Sequence, residues 1–245
     1  MNPADPRQHL IVALDVPTAD EALELVHTLR NHVGVFKVGL QLYTATGPRI
    51  VEKIQAEDCR VFLDLKLHDI PNTVSKAVFE ACRLGVHMLT LHSSGGPDML
   101  RGARETVDAW VQSTGKAGPY LLGVTVLTSL SQSDINQLGL GCNVEDLVLN
   151  LARLADETGI DGVVCSPLEL GRLVEEGFER LFFVTPGIRP AGSSTDDQAR
   201  VKGPAEAIAA GARHLVVGRP ISAAPDPVEA AETILSQIGA AELPT

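Results

Sequence analysis

The sequence has little sulfur chemistry to offer. Its four cysteines, Cys59, Cys82, Cys142 and Cys165, include no C-x-x-C spacing. That excludes a cysteine zinc site and gives no disulfide framework, so the four read as buried thiols in a reducing compartment. No Lys/Arg run stands out, and 20 basic residues face 31 acidic ones, a formal net charge of −11. A nucleic-acid surface is therefore not expected, although a few local cations suffice for a small anionic substrate. No apolar run reaches membrane length. The first eight residues are polar with two prolines, and no signal-type apolar segment follows. The expectation is a soluble, cytoplasmic protein with no membrane partner. There is no GxGxxG, no Ser-His-Asp relay and no cluster with metal-ligand spacing. No linker or low-complexity stretch divides the chain.

What is present is core material in a repeating order. The chain has 245 residues, enough for one large domain or two small ones, and 44% of them are hydrophobic. Short apolar runs alternate with amphipathic stretches. The runs are Leu10 to Leu14, Val35 to Val38, Arg60 to Leu63, Val86 to Leu91, Tyr120 to Val126, Gly162 to Cys165, Leu181 to Val184 and His214 to Val217. Between them the apolar spacing predicts helices. One is opened by a Thr18/Glu21 capping box, one spans Leu42 to Ala56, and one begins near Pro71. Others carry Met99, Ala103 and Val107, span Val144 to Asp156, start from Pro167, span Pro204 to Ala210, and start at Asp226-Pro227. Thr128 to Gly141 and Ala191 to Arg200 read as long connections. Eight strand–helix units at near-even spacing favour a single-domain α/β fold over residues 1–245, a (β/α)8 TIM barrel, with a doubly wound open sheet as the competitor.

In such a barrel the chemistry sits at the carboxyl ends of the strands. Asp15 and Lys37 stand at or within apolar runs there, and Phe62 to Thr73 is the densest stretch. It places Asp64, Lys66 and Asp69 at two- and three-residue spacing. Side chains alternate along a strand, so Asp64 and Lys66 should share a side. Burying opposite charges for structure alone rarely stabilises, which points to chemistry; a structural ion pair is the plain alternative. Lys37, Asp64, Lys66 and Asp69 would form a mutually satisfied network in which each cation has an anion beside it. Asp69 could equally cap the following helix. His68 reads better as a structural loop histidine than as a general base, His92 as a residue of the pocket floor, and Trp110 as packing. Barrels often bind phosphate with the loops after strands seven and eight. Here those loops are Pro186-Gly187-Ile188-Arg189 and Gly218-Arg219-Pro220, and Gln198 lies in a polar loop that could fold over the anion. Glycine admits backbone N–H groups to an anion and arginine adds a charged fork.

These residues resemble the orotidine 5′-phosphate decarboxylases. The likeness is carried by LIVALD ending at Asp15, FKVG around Lys37, DLKLHDIPNTV from Asp64, VTVLTS from Val124 to Ser129, VTPGIRP from Val184, DDQ ending at Gln198 and VGRP from Val217. They occur in the right order across almost the whole chain. The DxKxxD core alone is shared with sugar-phosphate decarboxylases and synthases; HDIPNT, TPGIRP and VGRP are more specific. The resemblance implies conversion of orotidine 5′-phosphate to UMP and CO2 without metal or other cofactor, in a homodimer with shared active sites. It implies Lys37, Asp64, Lys66 and Asp69 as catalytic residues, with Asp69, Ile70 and Thr73 reaching in from the other subunit. It places Asp15 and Lys37 on the ribose, Thr128 on the pyrimidine, and Gln198, Gly218 and Arg219 on the phosphate, with Arg189 close by. The rivals are a Mg²⁺-dependent enzyme acting on an acyclic sugar phosphate and a non-catalytic phosphate-ligand barrel.

Overall fold

The structure, a computed structural model, describes residues 5–178, 180–189 and 202–241. The chain runs β1 (Leu10–Ala13), α1 (Ala19–Leu29), β2 (Val35–Gly39), α2 (Leu40–Thr46), α3 (Arg49–Gln55), β3 (Arg60–Leu67) and α4 (Pro71–Leu84). It continues through β4 (Met88–His92), α5 (Pro97–Thr114), β5 (Tyr120–Val124), α6 (Gln132–Gln137), α7 (Val144–Glu157), β6 (Gly162–Val164) and α8 (Leu170–Glu175). It ends with β7 (Phe182–Thr185), α9 (Pro204–Ala209), β8 (His214–Val217), α10 (Arg219–Ser222) and α11 (Pro227–Gly239). Among the described residues, β1 to β8 pair in sequence order, all parallel, and β8 pairs back onto β1. This closes the barrel, and parallel pairing brings every strand's carboxyl end to one mouth.

Each strand is buried on both faces, which is why it reads as a continuous apolar run. Outward residues such as Val12, Phe36, Leu63, Leu89 and Val217 pack against the helices. Inward residues Ile11, Ala13, Val35, Phe62, Met88, Leu122, Val184 and Val216 fill the barrel itself. The helices obey the capping chemistry of their sequence. Thr18 accepts from the Glu21 N–H at 3.3 Å, but its hydroxyl then donates to the Glu21 carboxylate, so only half of the expected box forms. Pro71 opens α4 and Gly85, at φ +68°, ends it in the left-handed conformation.

Three expected elements differ. The helix over Leu42 to Ala56 is two helices, because Gly47 takes φ +66° and Pro48 follows it. The connection from Thr128 to Gly141 contains α6, opened by a reciprocal Ser131/Asp134 capping box. The helix after Pro167 starts only at Leu170, because the preceding turn is held by the Glu169 carboxylate accepting from the Ser166 N–H at 2.8 Å. The loop expected over Ala191 to Arg200 lies outside the described residues. The thiols are free, but only Cys82 and Cys165 are buried; Cys59 and Cys142 are partly exposed.

The amino end of the barrel is closed differently. His87, Tyr120, Phe182 and His214 form an edge-to-face chain with centroids 5.4, 5.6 and 5.6 Å apart. The Arg60 guanidinium donates to the Gly34 carbonyl and Gln8 side chain, and the His214 Nδ1–H donates to the Gln8 carbonyl. Burial, with Arg60 nearby, lowers the His87 pKa to about 4. Burial, with Arg213 next, lowers that of His214 to about 3.

Candidate active site

At the opposite end, Asp15 just past β1, Lys37 on β2 and Asp64 and Lys66 on β3 build a charge ladder. The Lys37 Nζ lies 3.2 Å from the Asp15 Oδ1 and 3.5 Å from the Asp64 Oδ2. The Lys66 Nζ donates to both Asp64 oxygens, at 2.8 and 2.9 Å. Anion and cation thus alternate as Asp15, Lys37, Asp64, Lys66. Lys37 and Asp64 are buried, whereas Lys66 is half-buried and faces the cavity. Burial alone would raise the Asp64 pKa; Lys37, Lys66 and hydrogen bonds from Lys66 and Thr90 outweigh it and hold the carboxyl below its usual range. Asp64 is therefore a carboxylate at neutral pH. Gly39 leaves room for this ladder, since a Cβ there would lie 3.1 Å from the Lys37 ammonium.

Lys66 reaches Asp64 by a route that simple alternation does not describe. The pairing of β3 with β4 passes from Leu63↔Leu89 to Leu67↔Leu91, so β3 is bulged between them. Lys66 sits in that bulge at φ +51°, a left-handed conformation uncommon for a non-glycine residue. Its N–H donates to the Thr90 Oγ1 at 2.9 Å, and the Thr90 hydroxyl donates to the Asp64 Oδ1 at 2.9 Å. The sequence reading did not single out Thr90. A threonine inside an apolar strand carries no distinctive signal.

A cavity of about 440 Å³ opens over this ladder, and Asp15, Lys37, Asp64, Lys66, Thr128, Arg189, Gly218 and Arg219 line it. Its size suits one small ligand. Gly187 turns the chain at φ +79° after β7, and the Arg189 N–H is anchored on the Lys202 carbonyl at 3.0 Å. Arg219 follows Gly218 directly at the end of β8. Two arginines thus share the cavity with the ladder. Among the described residues, no group of three or more His, Cys, Asp or Glu side chains is placed to hold a metal ion.

Not every expected residue joins them. Asp69 is exposed, and its carboxylate accepts from the Ile70 N–H at 2.6 Å. Among the described residues it makes no ion pair, so within one chain the ladder ends at Lys66, with Asp15 as its other end. Nor does Asp69 cap α4; Ile70 is the cap residue. Ile70 and Thr73 are exposed outside the cavity. Gln198 lies outside the described residues. His68 packs its ring against His92, with centroids 5.2 Å apart, and makes no side-chain hydrogen bond among the described residues. Burial, then His68 and Lys66, lower the His92 pKa, so the pair is not cationic at neutral pH through His92. Trp110 packs edge-on to Phe79 at 5.8 Å.

A closed parallel barrel with a charge-lined cavity at the carboxyl ends of its strands defines the class: a (β/α)8-barrel enzyme. The profile described as the orotidine 5′-phosphate decarboxylase / HUMPS family matches residues 8–234. The chain belongs to that family. Over 236 residues it is 51% identical to the orotidine 5′-phosphate decarboxylase of Syntrophotalea carbinolica, covering 96% of both chains. Over 243 residues it is 45% identical to that of Saccharophagus degradans, covering 99% of both. The crystal structure of orotidine 5′-phosphate decarboxylase from Lactobacillus acidophilus is similar at TM-score 0.82 and 37% identity, over 94% of this chain and 99% of that one.

Proposed function

We propose that this chain decarboxylates orotidine 5′-phosphate to UMP and CO2, in pyrimidine nucleotide synthesis, and that residues 1–245 serve as one catalytic domain. The names of its relatives support the substrate. The observation that carries the mechanism is the Asp15–Lys37–Asp64–Lys66 ladder in a cavity that also holds Arg189 and Arg219. Loss of CO2 breaks the bond at C6 of the pyrimidine and leaves the electron pair on a carbon without an enolate sink. A fixed ammonium near that carbon stabilises the developing charge. Lys66 is that ammonium, and it then donates its proton to C6. Asp64 holds the ammonium and lies against the departing carboxylate. Asp15 and Lys37 hold the ribose hydroxyls, and Thr128 contacts the pyrimidine. Arg189, Gly218, Arg219 and Gln198 take the phosphate, whose binding energy orients the ring far from the phosphate itself.

The working form in this reading is a cytoplasmic homodimer. Asp69, Ile70 and Thr73 complete the partner's site. Their exposure beside the mouth, with Ile70 66% exposed after β3 and Leu40 57% exposed after β2, supports an apolar contact there. The test is the fall in orotidylate absorbance on adding purified protein, with EDTA present. Turnover that EDTA leaves unchanged supports the proposal. Turnover lost to EDTA and restored by Mg²⁺ favours the sugar-phosphate branch, and UMP binding without turnover favours a binding protein.

A further inference from the structure

The bulge in β3 removes the Lys66 N–H from the ladder of strand hydrogen bonds, yet the position is partly buried and the backbone is left-handed. A polar N–H there needs a partner, and a left-handed lysine persists only where its surroundings over-determine it. Thr90 supplies the partner. It is wholly buried on β4, inside the barrel beside Met88, and its hydroxyl is used twice. Because the oxygen accepts from Lys66, the single O–H has only the Asp64 Oδ1 to go to. The hydroxyl therefore ties the backbone of the proposed proton donor to the carboxylate that holds the donor's side chain. Backbone N–H, hydroxyl, carboxylate and ammonium close a ring through Lys66, Thr90 and Asp64. No other described residue bonds to both Asp64 and Lys66.

We propose that Thr90 is a positioning residue for the decarboxylation, acting through Lys66 and Asp64 without touching substrate. This rests on the reaction proposed above. A hydroxyl with both a donor and an acceptor role is required; a methyl of equal size would leave an orphaned N–H and a carboxylate short of one donor.

The experiment compares wild type, Thr90→Val, Thr90→Ser, Lys66→Ala and the Lys66→Ala/Thr90→Val double variant. Thr90→Val should lower kcat about 10- to 100-fold, the scale of a reactive group displaced by about an ångström. KM and UMP affinity should stay within about threefold, because the ribose and phosphate contacts are untouched. Thr90→Ser should restore most of kcat. In the Lys66→Ala background the Thr90 change should cost nothing further, since a residue acting through Lys66 has nothing left to position. A folded Thr90→Val enzyme with kcat within about twofold of wild type overturns the inference, as does an equal loss in the Lys66→Ala background. If Thr90→Val does not fold, Thr90→Ala carries the same expectation at smaller size. A crystal structure of the variant gives a readout independent of turnover: Lys66 should leave its φ of +51° and its ammonium should shift from Asp64. Unchanged Lys66 geometry overturns the inference. A wild-type protein that does not turn over orotidine 5′-phosphate defeats the proposed reaction and leaves this structural readout standing.

Discussion

Acidification should unfold this protein from the end opposite its cavity. An unfolded histidine titrates near 6.5, whereas His87 and His214 are held down to about 4 and about 3 in the fold. Both are therefore neutral when folded in mild acid, while the unfolded chain takes up their protons. A histidine whose folded pKa is depressed loses stability as pH falls below 6.5, and the loss stops only at the folded value. At pH 5 each has lost about 2 kcal/mol, or roughly 4 kcal/mol together, using 1.36 kcal/mol per pH unit. That is a large share of the 5–15 kcal/mol typical of a folded domain. His92 works in the same direction, and Asp161, whose carboxyl burial raises, opposes it just above 3.8. Asp64 belongs to a lower window: its contribution is intact above 3.8 and lost as pH falls through its depressed folded value. The assay is urea unfolding between pH 8 and pH 4.5. The midpoint should fall by about 1 M or more from pH 7 to pH 5, and a His87→Gln/His214→Asn variant should flatten the profile whatever its own stability. A midpoint unchanged between pH 7 and pH 5 would refute the reasoning.

The remaining expectations concern the mouth. Lys66→Ala removes both the charge facing the developing carbanion and the proton, worth about 10²–10³ and 10²–10⁴ respectively. Its kcat should fall at least about 10⁴-fold while UMP still binds in calorimetry; a near wild-type rate would remove Lys66 from the mechanism. Arg219→Ala should weaken UMP about 10- to 100-fold, the scale of one hydrogen bond to a charged group, with uridine affinity unchanged; equal UMP affinity would place the phosphate elsewhere. Ile70→Glu should shift the protein toward monomer in sedimentation and make specific activity fall on dilution. An unaltered sedimentation profile would separate this residue from the subunit contact.

The barrel was legible because parallel strands buried on both faces leave bare apolar runs, and all eight runs became strands. The ladder was legible for the complementary reason. Asp15, Lys37 and Asp64 stand where valine or leucine would be expected. Lys66 came out beside Asp64 as alternation suggested, but for a different cause, a backbone bulge that leaves no mark in residue type. The Gly47-Pro48 break and the Ser131/Asp134 box were both printed in the sequence. Apolar spacing runs on through the first, and a long polar stretch masks the second. The His87–Tyr120–Phe182–His214 chain was not legible at all, since its members stand at or just before the starts of separate strands and each alone is ordinary. Ile70 and Thr73 came only from resemblance; Asp69 is marked by its charge spacing, but its role in the partner's site came from resemblance too, because that role needs a second copy of the chain.

The extra length in β3 also has a bearing on how this site tolerates change. Four steps along β3, from Leu63 to Leu67, match two along β4, so the surplus is an even number and both leucines keep the same side of the wall. Losing one residue here would invert the phase of everything up to α4. Losing two would restore a regular strand and a sound barrel, yet withdraw the ammonium from the cavity. The decisive group is thus encoded as strand length, and a deletion could silence the catalyst while sparing the scaffold.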